Sequence, residues 1–249
     1  MNRDALVTYL DDYLDCRGSA DYSDNGLQVE GGAEITRLVF AVDACQETIA
    51  GAVAAGAQML IVHHGLFWGK VLRIVGPHRC RVQALLDGDC SLYAAHLPLD
   101  RHPEVGNNAQ LARLLGLTVV GGLGEAFGLP VGVIATAAAT PRAVLVARLA
   151  ASLGVAPLVL PEGPEQVQRI GIISGGAARD IATAAAAGCD TYITGETSHS
   201  SYHDAAEYAI NVIYAGHYAT ETVGLKALAT HLDAQFALPS TFIDRPTGL

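Results

Sequence analysis

The sequence has no Cys-x-x-Cys pair. Its five cysteines, Cys16, Cys45, Cys80, Cys90 and Cys189, are scattered and odd in number, which argues against a disulfide framework and a structural zinc knuckle and reads as reduced thiols. No apolar run reaches about 18 residues without a polar break, so no membrane span is expected. The stretch Met1-Asn-Arg-Asp-Ala-Leu-Val7 lacks a basic segment leading into a long apolar one; no secretion signal is visible, and a cytoplasmic location is expected. Basic residues are scarce, 15 Lys and Arg against 25 Asp and Glu, for a net charge of −10. That disfavours nonspecific nucleic-acid binding unless assembly gathers residues such as Arg79, Arg81 and Arg101. It leaves an anionic ligand open, because a bound metal can reverse the local charge. No Gly-x-x-x-x-Gly-Lys phosphate loop is present.

What is abundant is apolar material, 51% of 249 residues, enough for one large domain or two smaller ones. Apolar positions Leu6, Val7, Leu10, Tyr13 and Leu14 have helical spacing after Asp4. A turn-rich stretch, Tyr22 to Gly26, precedes the strand Arg37 to Val42. A helix from about Gln46 to Ala55, closed by Gly56, then leads into Met59-Leu-Ile-Val-His63-His64-Gly65. This β-α-β order marks a mainly parallel sheet with helical crossovers. Residues 78–87 read as a helix and Cys90 to Ala95 as a strand that delivers His96-Leu-Pro-Leu-Asp100. Asn107-Asn108 opens a helix through Leu115. The section 118–168 differs, with a strand at Val131–Thr136, a helix from Pro141 to Ser152 and a strand near Pro157–Leu160, ended by Pro161-Glu-Gly-Pro164.

The chain then repeats itself. Leu38 to Gly65 aligns without a gap on Ile170 to Thr197, and this places Glu196 opposite His64. Leu92-Tyr-Ala-Ala-His96-Leu-Pro-Leu-Asp100 lies on Ile213-Tyr-Ala-Gly-His217-Tyr-Ala-Thr-Glu221, so a histidine and an acid recur at equal spacing in both halves. The chain reads as a duplicated α/β unit, divided near residues 1–121 and 122–249, with the two halves facing each other.

Ligands in such sheets bind at the carboxyl ends of strands. His63 and His64 sit at such an end, where a turning chain lets both imidazoles lean to one side. If the halves pool their strand ends, His63, His64, His96, Asp100, His217 and Glu221 come together. Imidazole and carboxylate without thiolate suit zinc, iron(II) or manganese, and so many donors fit two ions better than one. His217 and Glu221, four apart, share one face if a helix starts there. Asp100 could instead cap the next segment, and His96 could orient a ligand rather than be one. His78, His102 and His231 read as surface or capping residues. Phe67 and Trp68 could stack on a base or pack as core or lid. Gly175-Gly176 could bind an anion or form a simple tight turn.

Six segments together resemble one family: Asp24-Asn-Gly-Leu-Gln-Val-Glu-Gly31, Ile61-Val-His-His-Gly65, Ala95-His-Leu-Pro-Leu-Asp100, Gly106-Asn-Asn-Ala-Gln110, Ile193-Thr-Gly-Glu196 and Ala215-Gly-His-Tyr-Ala-Thr-Glu221. With the ending Thr241-Phe-Ile-Asp244 they are similar to the Nif-three-like family, the GTP cyclohydrolase 1 type 2 homologues. The resemblance implies a duplicated three-layer α/β/α fold, two lobes enclosing a cleft, and a dinuclear metal site at His63, His64, Asp100, His217 and Glu221. It also implies a homohexameric toroid. Glu196 and His203 resemble cleft-lining positions.

Paired metals make hydroxide available near neutral pH, so a metal-dependent hydrolase is expected, GTP cyclohydrolase-like or acting on another nucleotide, with His96 and Glu196 as proton carriers. The alternative is a non-catalytic metal-binding scaffold or regulatory partner, whose site would be closed by protein ligands.

Overall fold

The computed structural model describes residues 1–249 and is a mixed α/β protein with two sheets. The chain clusters into two compact units, Met1–Val105 with Leu225–Arg245, and Gly106–Gly224 with Pro246–Leu249.

The first unit carries a five-stranded sheet in the order β1-β4-β3-β2-β11. Its strands are β1 (Gly26–Val29), β2 (Leu38–Asp43), β3 (Met59–His64), β4 (Ser91–Ala94) and β11 (Ser240–Phe242). All pairs are parallel except β1 with β4. Parallel strands are covered on both faces and so read as continuous apolar runs; β3 is buried at Met59, Leu60, Ile61, Val62 and His63. One face packs Val39, Ala41, Leu60, Val62, Leu92 and Ala94 against Ile49 and Ala52 of α2 (Gln46–Ala54) and Leu85 of α3 (Gly76–Asp87). On the other, Phe40, Met59, Ile61 and Tyr93 are fully buried. There the Tyr93 hydroxyl donates to Asp11 (2.9 Å) of α1 (Arg3–Tyr13). The short α4 (Leu97–Arg101) follows β4 directly, with Pro98 in its first turn, where a missing N–H costs nothing.

The second unit has a six-stranded sheet in the order β5-β6-β8-β9-β10-β7. Its strands are β5 (Thr118–Leu123), β6 (Gly132–Pro141), β7 (Leu158–Pro161), β8 (Gln166–Ile172), β9 (Thr191–Thr194) and β10 (Asn211–Tyr214). The middle three, β8-β9-β10, are parallel. On one face Ile170, Ile193 and Ile213 pack with Leu111 and Leu115 beside α5 (Asn107–Leu114) and with Leu145 and Leu149 of α6 (Arg142–Leu153). Tyr192, Val212 and Tyr214 line the other face with Ile181 and Ala184 of α7 (Ile181–Ala186) and Ala205 of α8 (Ser201–Glu207). A 20-residue helix, α9 (His217–Phe236), follows β10. No helix is long and apolar enough to cross a membrane, and all five cysteines are free.

The chain passes between the units at 105/106, 224/225 and 245/246, whereas the repeat alone divides it near 121/122. The segment after Gly106 stays with the second sheet because β5 pairs with β6 as a hairpin. The chain then returns to the first unit, where β11 adds a parallel edge to β2.

The internal repeat is visible in strand register. In the first sheet Leu38 pairs with Met59; in the second, the aligned residues Ile170 and Thr191 pair. The match after it slips by one. Met59 sits beside Ser91 and Thr191 beside Asn211, so by register Ser91 corresponds to Asn211, whereas the sequence match set Leu92 on Ile213. A one-residue shift exchanges the faces of a strand. Tyr93 and Tyr214 therefore lie on non-equivalent faces despite aligning as letters. The chain recovers the register with one extra residue before the second histidine, at Gly216, where φ is +86°.

Candidate metal centre

In the first unit, His63 and His64 close β3. The strand runs through both residues, yet their rings lie 4.8 Å apart at 46°, because His64 is its last residue. His63 is fully buried, and its Nδ1–H donates to the Ala95 carbonyl (2.9 Å). His64 Nδ1–H donates to Asp43 (2.8 Å), its register partner at the end of β2. His96, between β4 and α4, donates Nδ1–H to Asp21 (2.8 Å). The three imidazoles offer ring nitrogens within 4.8 Å of one another. Asp100, one turn into α4, places Oδ2 3.5 Å from His63 Nε2.

The turn-rich stretch after α1 braces this set. Asn25 Oδ1 accepts the His96 backbone N–H (2.7 Å), and Asp21 accepts that of Leu97 (2.8 Å). Gln28 accepts the Leu66 N–H (2.6 Å), holding the chain just past Gly65. Burial of Asp21 opposes its charge, but hydrogen bonds from His96, Asn25 and the Ser23 N–H, with the charge of His96, outweigh it and hold the carboxyl down at about 2.

In the second unit, His217 and Glu221 begin α9 and meet at 3.0 Å, Nε2 to Oε1. His217 Nδ1–H donates to Glu196 (2.6 Å), just past β9. Burial opposes protonation of His217, but Glu221 and then Glu196 prevail and raise its pKa to about 9. Gly175, with φ +67°, has no Cβ because one would run into the Glu221 carboxylate and come within 3.2 Å of His217 Nε2. Its N–H donates to Thr220 (3.0 Å), and its carbonyl accepts the N–H groups of Gly195 and Glu196 (3.0 Å each). The turn is thus a close backbone approach to the His217–Glu221 pair, and the Gly175 N–H is not directed at an anion. Asn108 fixes the same turn by accepting the Ser174 N–H (2.8 Å), and Asn107 accepts that of Gly224 on α9 (2.9 Å).

One feature recurs through both units. His63, His64, His96 and His217 each spend Nδ1 on an oxygen that can only accept, a carbonyl or a carboxylate. In the neutral ring of His63, His64 or His96 that places the proton on Nδ1 and the lone pair on Nε2; His217, between Glu196 and Glu221, holds protons on both nitrogens and would turn Nε2 to a metal on losing one. Metal-ligating histidines show this arrangement, in which the outer partner fixes the tautomer and aims the ring. The donor set therefore fits divalent cations of the zinc, iron or manganese type, and no thiolate is among it.

The other histidines stand apart. His203 is exposed on α8, beside Tyr202. His78 meets Phe67 edge-on, and His102 caps its own turn by accepting the Glu104 and Val105 N–H groups. His231 stacks on Tyr13 at 4.1 Å. Sequence reasoning placed His96 in the donor pool below the other five, as a residue that could orient a ligand; its ring stands with those of His63 and His64. It missed Asp21 and Asp43 altogether. Asp43 carried a signal, being the residue that ends the strand next to β3.

The family model for Duf34/NIF3 (NGG1p interacting factor 3) matches residues 1–247. The chain belongs to this family. Among Duf34/NIF3 relatives, the "GTP cyclohydrolase 1 type 2 homolog" of Deinococcus radiodurans is 45% identical, covering all of this chain and 95% of that protein. That of Pyrococcus abyssi is also 45% identical, with both chains covered in full. The crystal structure of TTHA1606 from Thermus thermophilus superposes with a TM-score of 0.94 at 44% identity, again over the whole of both chains. The family resemblance seen in the six motifs is thereby established, together with the α/β fold of Duf34/NIF3 proteins.

Proposed function

We propose that this Duf34/NIF3 protein is a dinuclear metal-dependent hydrolase acting on GTP or a related nucleotide. His63, His64, Asp100, His217 and Glu221 would hold two divalent ions, zinc, iron or manganese, one donor set coming from each copy of the repeat. The observation that carries this reading is the shared Nδ1 partner. Four imidazoles each direct Nδ1 at an accepting oxygen, the orientation that metal-ligating histidines show.

When bound, such ions lower the pKa of coordinated water toward neutrality and so supply hydroxide. The chain's own residues do the rest. Asp43 and Glu196 aim the rings of His64 and His217. Glu196, expected as a proton carrier, is committed to His217, and we assign it the holding of that ring. His96 can take up a proton at Nε2, and ionised Asp21 at its Nδ1 stabilises the resulting imidazolium. The names of the relatives direct the substrate screen to GTP first.

The deciding experiment is elemental analysis of the native protein, followed by activity screening with the metal found restored. Turnover of GTP or another nucleotide is expected; none across nucleotides, phosphoesters and amides would leave the scaffold reading in place. Changing His63 and His64 to Ala should lower bound metal per chain with the circular dichroism spectrum retained, and undiminished metal would refute the ligand assignment. We propose the homohexameric assembly along with it; light scattering should give six times the 25.9 kDa chain mass, and any other mass refutes it.

A further inference from the structure

The single tryptophan of the chain stands beside the first-unit histidines and outside the core. Its neighbour Phe67 packs against the apolar cluster behind β3. Trp68 instead stays 37% exposed. Its ring lies 5.1 Å from that of His96 at 73° and 5.8 Å from that of His64 at 45°. The indole N–H donates to the Gly65 carbonyl (3.1 Å). That bond fixes the plane of the ring and uses the only polar group it has, so what remains for a ligand is π surface. An indole kept partly in water with its orientation fixed is suited to stacking on a planar ring.

The chain that follows supplies a charge preference. Gly69 turns it at φ +63°, and Lys70 and Arg73 come next, both exposed. No Asp or Glu occurs between residues 48 and 86. In a protein of net charge −10, this is a basic run along the chain directly after the histidine pair, and the carboxylates behind the neighbouring His64 and His96 rings, Asp43 and Asp21, are each engaged by a histidine Nδ1–H. Anions are drawn to such a stretch, and a neutral or cationic ring gains less from it.

We propose that Trp68 is the stacking platform for a planar heterocyclic ring bearing an anionic group, with Lys70 and Arg73 supplying the attracting charge. The proposal deepens the hydrolase reading by naming what selects its substrate, and its test is independent of turnover. As the only tryptophan, Trp68 reports on itself through its emission. Guanosine 5′-monophosphate should change that emission saturably, and ribose 5-phosphate, with the same phosphate and no ring, should bind more weakly by calorimetry. Trp68→Leu should weaken guanosine 5′-monophosphate binding roughly tenfold or more, the scale of one base stacked on an aromatic side chain. Bound metal and the circular dichroism spectrum should be unchanged, and Trp68→Phe should restore most of the affinity. Unaltered emission, equal binding of the two phosphates, or a Trp68→Leu variant that binds the nucleotide as the parent does would overturn the proposal. Ring binding that depends on Trp68 in a protein without metal or turnover would sink the hydrolase reading alone. Metal and turnover in a protein whose nucleotide binding is indifferent to Trp68 would sink the platform alone.

Discussion

At the scale of single residues, the carboxylates behind the imidazoles make the sharpest prediction. Asp43 accepts the Nδ1–H of His64 at 2.8 Å. Asp43→Ala should reduce metal affinity by roughly 10- to 100-fold, the usual cost of losing such a partner. Asp43→Asn, which keeps an accepting oxygen, should lose less; equal affinity in all three proteins by competition with a chromogenic chelator would refute the role. His102 gives a prediction of a different kind. Burial lowers its pKa below 6.5, outweighing its hydrogen bond to the Tyr13 carbonyl and the charge of Glu104. The unfolded chain then binds the proton more readily, so stability is full above about pH 6.5 and declines as pH falls below it. Urea midpoints measured at pH 7.5 and pH 5 should differ less in His102→Gln than in the parent.

At the scale of elements, α9 changes character along its length. Thr220 to Leu225 are buried without a break, and further on Leu228 and Leu232 remain buried while Lys226 and Thr230 face solvent. Leu225, Leu228 and Leu232 follow the 3–4 spacing of a one-sided helix. Leu228 is fully buried, so Leu228→Ala should cost about 2–5 kcal/mol by chemical denaturation. Surface Lys226→Ala should cost far less. At the other end of the same helix, His217 and Glu221 fall one turn apart because 3.6 residues make a turn. That contact was legible from spacing alone once a helix was assumed to begin there. The start of the helix was not legible, since nothing in Gly216-His217 distinguishes it from His96-Leu97, where α4 ends within five residues.

At the scale of the whole molecule, the first unit is discontinuous in sequence. A fragment ending at residue 121, where the repeat alone divides the chain, lacks β11 and the part of α9 that carries Leu225, Leu228 and Leu232. It leaves β2 as an open edge and should be aggregation-prone. A cooperative thermal transition and a monomeric scattering mass for that fragment would refute the division at 105/106 and 224/225. Restoring metal to chelator-treated full-length protein should raise its melting temperature, because a ligand that binds only the native state adds stability, about 2.7 kcal/mol at a hundred times its Kd.

By itself the sequence determined many of the strands and helices, the duplication and the candidate donors. Strand and helix periodicity, glycine at helix ends and the recurrence of His-x-x-x-acid are local signals, carried by residues within a few positions of each other. Only the tertiary structure decided which nitrogen of each imidazole an oxygen holds. Asp21 lies 75 residues from His96, and Asp43 lies 21 from His64. A hydrogen bond to Nδ1 depends on strands and loops being brought side by side, and spacing along the chain carries no trace of it. The slipped register of β10 has the same origin. Matching letters set Tyr93 on Tyr214, but the backbone ladder with β9 fixed which face each ring would take.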